Sequence, residues 1–143
     1  MRKTIGIVAF LAAWLAGSLI SVHAQNADFH VVPLPKEVKA TQAGNFELDK
    51  QTLIAYPSGD KELKRYAQLL ADYIHEATGL KMTLTNMAVP RKCNKLSRSL
   101  KHKNAEAYHI RVNSEIVWLD GASAAGLFYA IQTFRKALPV GPT

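Results

Sequence analysis

Cysteine is nearly missing from this chain: Cys93 is the only one in 143 residues, so no intramolecular disulfide can staple the fold. Aromatic residues are sparse at 8%. No glycine-rich phosphate loop exists, because Gly121 and Gly126 stand too far apart for one and fit a turn followed by a helix. The histidines His30, His75, His102 and His109 lie on separate elements without HExxH or other metal-ligand spacing. No Asp stands next to a Glu, and the acids are scattered over helix faces and turns. The sequence therefore offers no catalytic, cofactor-binding or metal-binding residue, and implies no cofactor.

Charge is present and uneven. The formal net charge is +7. The stretch Asn86–Asn104 holds six cations, Arg91, Lys92, Lys95, Arg98, Lys101 and Lys103, and no acid. Outside it, and beyond residue 24, 10 basic residues face 11 acidic ones. The basic character belongs to one segment rather than to a face spread over the fold. That segment has no aromatic residue, whereas single-strand nucleic-acid binding needs stacking platforms beside the cations. Nucleic acid is not an expected partner, and a solvated loop is the default reading of the segment.

Met1–Ala24 has the three parts of a secretory signal peptide. Arg2 and Lys3 form the basic start, Ile5–Ala16 the apolar run, and Val22-His23-Ala24 the cleavage site. The apolar run is shorter than the roughly 20 residues a membrane span needs. An uncleaved anchor is the competing reading, weakened by Gly17 and Ser18. The expectation is an exported chain, periplasmic or secreted, beginning near Gln25 with no membrane span. The 119 residues that follow Ala24 suffice for one domain with a modest core.

Within that domain, short strands alternate with two helices. Phe29–Val32, Asn45–Leu48, Leu53–Tyr56, Leu80–Thr85, Ala107–Val112 and Glu115–Leu119 read as strands. Leu63, Tyr66, Ala67, Leu70, Ile74 and Ala77 make the apolar stripe of the first helix. Ser58 or Asp60 caps its start and Gly79 its end. Ala122–Leu138 reads as a second helix, with Leu127, Ala130, Ile131, Phe134 and Leu138 facing inward and Ser123 as a plausible cap. Asp120, beside that helix N-terminus, reads as a capping carboxylate before a catalytic one. Gly126 permits close approach of helix and sheet. Helical spacing places Tyr66 and Tyr129 in core packing, while Tyr56, Tyr73, Tyr108 and Trp118 stay open between packing and sugar stacking. The sum is an α+β fold, a small mixed sheet with two main helices packed on one face.

Five blocks in order carry a family resemblance: VVPLPKEV at Val31–Val38, the FELDKQTLIAYP run, the helix ending in EATG, the AYHIRV…VWLDGASAAGLFYAIQTF block, and ALP. Together they resemble the N-terminal accessory domain of bacterial β-N-acetylhexosaminidases, glycoside hydrolase family 20. The resemblance covers nearly all of the chain after Ala24. Its most specific part is Gly121–Phe134, with Gly126, Tyr129, Gln132 and Thr133 at the family's positions.

The resemblance implies a small α+β domain ahead of a (β/α)8 barrel that removes terminal N-acetylglucosamine or N-acetylgalactosamine from glycans. The substrate's acetamido group acts as nucleophile there, served by an adjacent Asp-Glu pair in the barrel. No family catalytic residue maps onto this chain. The expected organisation is residues 1–24 as signal peptide, 25–139 as the accessory domain, and 140–143 as the start of a linker to an absent barrel. The expected role is non-catalytic support of that barrel, which is the implied partner and the implied route to glycan. A free-standing module binding acidic glycans through residues 91–103 is the alternative. One departure stands out: Arg91–Leu100 reads RKCNKLSRSL where the family commonly has an apolar strand. A degraded strand, a loop insertion or a local frame error each gives that appearance, and the sheet is expected to be weak there.

Overall fold

The structure is a computed structural model and describes residues 36, 37, 39, 42–88 and 91–139. The signal-peptide segment, the expected strand at Phe29–Val32 and the residues after Pro139 lie outside the described residues. The elements run β1 (Leu53–Ala55), α1 (Lys61–Thr78), β2 (Thr83–Thr85), β3 (Cys93–Ser97), β4 (Tyr108–Val112), β5 (Ile116–Gly121) and α2 (Ala124–Ala137). The strands form one sheet in the order β2-β1-β3-β5-β4. The first four of these run parallel, and β4 joins β5 antiparallel at the edge. The fold is α+β with a mixed sheet, as the sequence predicts.

Both helices cover one face. Strand residues alternate between faces, and the register aligns Ile54, Asn94 and Val117 in one row and Leu96 and Leu119 in the next. These meet Leu63, Ala67, Leu70 and Ile74 of α1 and Leu127, Ala130 and Ile131 of α2 in a single core. Each fully buried leucine there contributes about 1.5–3 kcal/mol relative to exposure. On the other face Ala55, Cys93 and Ile116 form a smaller cluster, with Leu53 and Trp118 packed against it.

The helix boundaries have local causes. Asp60 is extended and its side chain accepts the N–H groups of Glu62 and Leu63, which decides the cap in its favour over Ser58. Gly79 ends α1 at φ 76°, the left-handed region where a Cβ is disfavoured. Ser123 caps α2, accepting from Ala125 and Gly126. Gly126 is required by space: a Cβ there would stand 2.3 Å from the Ala107 carbonyl oxygen.

Two strand expectations need correction. Asn45–Leu48 has no ladder and is irregular, although Phe46 and Leu48 still pack against the core. The larger correction concerns the basic stretch. Its middle, CNKLS, is no solvated loop but the central strand β3, paired with β1 on one side and β5 on the other. Cys93, Asn94 and Leu96 are fully buried. Weak intrinsic preference is overridden because two flanking strands supply a complete ladder and two buried faces. A second strain precedes it: Lys92 sits at φ 56°, which costs a non-glycine residue about 1–2 kcal/mol.

Candidate functional site

The six cations of the basic stretch do not converge. Lys92 Nζ pairs with Asp49. Arg98 forks between Asp60 and, at 2.8 Å, Glu62, so it ties the end of β3 to the start of α1. Lys95 lies on the outer sheet face, in register with Trp118 and Arg111. Only Arg91, Lys101 and Lys103 stand exposed on loops. Lys92 beside Asp49 holds that carboxylate below its ordinary value, helped by the N–H of Gln51. The N–H of Leu63 does the same for Asp60, with Arg98 adding to it.

Asp120 also has a different task from the one its position suggests. It caps no helix; Ser123 does. Its carboxylate accepts the Ser97 hydroxyl at 2.8 Å, the Ser99 N–H at 2.8 Å and the Ser99 hydroxyl at 3.0 Å. Burial opposes its ionisation, but these donors outweigh that and hold the carboxyl below the ordinary range. With every contact turned toward the chain leaving β3, Asp120 acts as a structural acceptor. Burial pushes the Cys93 thiol up, so it is a poor nucleophile.

The histidines stay apart. His75 and His109 are exposed on α1 and β4. His102 is exposed in the loop before β4, where its Nδ1 accepts the N–H of Asn104 at 3.1 Å. Among the described residues no three of His, Cys, Asp and Glu gather where they could hold a metal ion. No described helix is long and apolar enough to cross a membrane.

The aromatic residues sort differently from expectation. Tyr56, Tyr66, Tyr73 and Tyr108 pack against the main core. Trp118 packs on the outer cluster, with the Arg111 guanidinium 4.4 Å above its ring. Tyr129, expected inside, is 42% exposed. The inward stripe of α2 ends at Ala130 and Ile131, so one step of rotation carries Tyr129 past the core edge.

That ring borders an open groove of about 390 Å³ between α2 and the chain leading into β4. One wall is Tyr129, Gln132, Thr133 and Lys136, an i, i+3, i+4, i+7 row of α2. The other is Asn104, Glu106 and Tyr108. Tyr108 and Thr133 share a hydrogen bond of 2.8 Å that fixes the two walls to each other. Gln132 gives its amide N–H to Tyr73 at 3.0 Å, which orients its side chain. Sequence periodicity could not reveal this groove, since its walls come from separate elements.

Residues 28–142 match the family described as glycosyl hydrolase family 20, domain 2. The chain belongs to that family. It is 26% identical over 137 residues to a beta-hexosaminidase of Porphyromonas gingivalis (strain ATCC BAA-308 / W83), covering 93% of this chain and 17% of that protein. Among solved structures it resembles the GH20 beta-N-acetylhexosaminidase of Streptomyces coelicolor A3(2), with a TM-score of 0.68 and 28% identity over 76% of this chain and 21% of that one. A mutant Streptomyces plicatus beta-hexosaminidase in complex with product GlcNAc gives 0.66 and 25%, with the same coverage. The chain thus spans about a fifth of these relatives. The family-20 domain reading of the Gly121–Phe134 block holds.

Proposed function

We propose that this chain is the non-catalytic domain 2 of an exported β-N-acetylhexosaminidase, whose task is to support a (β/α)8 barrel that hydrolyses terminal N-acetylhexosamines. The observation that carries this is the domain-2 match over residues 28–142 in a chain with no adjacent Asp-Glu pair. The mutual neutralisation of Lys92, Arg98 and their acids supports the same reading, because it disfavours a polyanion-binding face on the basic stretch.

The purified chain should leave a chromogenic N-acetyl-β-glucosaminide intact. Hydrolysis above a protein-free blank, abolished by a substitution within the chain, would overturn the reading. For export, residues 1–24 fused to a reporter should direct it out of the cytoplasm with cleavage after Ala24. Retention of the uncleaved fusion inside would remove that part.

A further inference from the structure

We propose that the groove between α2 and the 104–108 segment is a binding site for one neutral sugar ring, stacked on Tyr129. Three observations carry it, and none depends on the hydrolase reading. The first is the platform: Tyr129 leaves 42% of its surface open at the groove edge, where a pyranose can lay its C–H face on the ring.

The second is charge. Glu106 and Lys136 line the same groove from opposite walls, and no ion pair joins them. An anionic ligand would meet the carboxylate and a cationic one the ammonium. A neutral polyhydroxylated ring both donates and accepts, so it suits Glu106, Lys136, Asn104 and Gln132 together. The third is rigidity. The Tyr108–Thr133 bond and the Gln132–Tyr73 bond hold the walls in place before any ligand arrives, which lowers the ordering cost of binding. At about 390 Å³ the groove lies near the lower end of ligand sites, roughly 300–1,000 Å³. It is open on one side, so affinity should be weak, with a Kd on the order of 1 mM.

The test is a two-dimensional amide NMR titration of the chain with four probes: N-acetylglucosamine, methyl α-glucoside, glucuronate and glucosamine. Saturable shifts at Asn104, Glu106, Tyr129 and Lys136 are expected with the two neutral sugars and at least several-fold weaker binding with the charged ones. Tyr129→Ala should weaken binding about tenfold or more, while Tyr129→Phe should retain it, since only the ring face is used. Tyr129 is peripheral to the core, and an otherwise unchanged amide spectrum of each variant will verify its fold. No saturable shift with either neutral sugar, or binding unaffected by Tyr129→Ala, overturns the proposal. So do shifts at these amides that depend on protein concentration without sugar, because they assign the groove to a second copy of the chain. A negative result here leaves the absence of hydrolysis, and the domain-2 reading, untouched.

Discussion

Asp120 receives both the backbone N–H and the hydroxyl of Ser99, at 2.8 and 3.0 Å, across 21 residues of sequence. That pairing fastens the exit of the basic strand to the end of β5. Asp120→Ala should therefore cost about 1–3 kcal/mol, the range for leaving partly buried donors unsatisfied. Asp120→Asn should cost less, because the amide keeps one acceptor. Urea unfolding of the two variants measures the difference.

The pH dependence follows from the same groups. Asp49, Asp60 and Asp120 are all held below their ordinary value of 3.8. A carboxylate depressed in the folded state adds stability above its unfolded pKa and loses it as pH falls through the folded value. Stability should therefore be level between pH 7 and 5 with respect to these groups and fall below about pH 4. In Asp120→Ala the fall should be shallower; an unchanged acid limb would show that Asp120 carries none of it.

Asn94 is the misfit of the core. Its side chain is fully buried between Ile54 and Val117, and neither its oxygen nor its nitrogen has a hydrogen-bond partner. Asn94→Leu removes two unsatisfied polar atoms at nearly constant shape and should stabilise by about 1–2 kcal/mol. Thermal unfolding should show a raised Tm. A lowered Tm would mean that the amide has a partner, such as an enclosed water.

Gly126 and Gly79 separate two reasons for glycine. Gly79→Ala meets open space but keeps φ 76°, so the cost should be about 1 kcal/mol. Gly126→Ala drives a methyl into the Ala107 carbonyl and should cost more, about 1–3 kcal/mol of forced displacement. Chemical denaturation of both variants side by side ranks them.

Asp60 does two jobs that substitution can divide. Asp60→Ser keeps a capping oxygen and loses the Arg98 pair, whereas Asp60→Ala loses both. The serine variant should be the more stable by about 1 kcal/mol, and raising the salt concentration should weaken only the Arg98 part. Equal losses would mean the cap contributes nothing here.

The legible parts of this fold were those whose pattern is set within one element. The α1 stripe, the caps at Asp60 and Ser123 and the left-handed Gly79 are local features, and each is where periodicity and capping chemistry put it. The strand β3 was illegible because its sequence carries one large apolar residue, Leu96, among polar and basic ones. Its identity is decided by Leu53–Ala55 and Ile116–Asp120 on either side, which no window of the chain contains. Tyr129 failed for a related reason. A helical stripe gives direction to within about a step of rotation, and where the core ends depends on how α2 lies across β4 and β5. The groove, built from two elements, shares that dependence.

The strand order also sets a sequence of events during synthesis. β3 joins β1 through pairs such as Leu53 with Cys93, but its other edge stays bare until Ile116–Asp120 has emerged. β4, made before β5, has no other neighbour in the sheet. The fifth strand is therefore the closing piece of the assembly, and α2 can seat only after it. A nascent chain of this kind stays open almost to its end, with its slowest contacts the most distant ones. That delay would suit a polypeptide that must be threaded through a narrow passage before it folds.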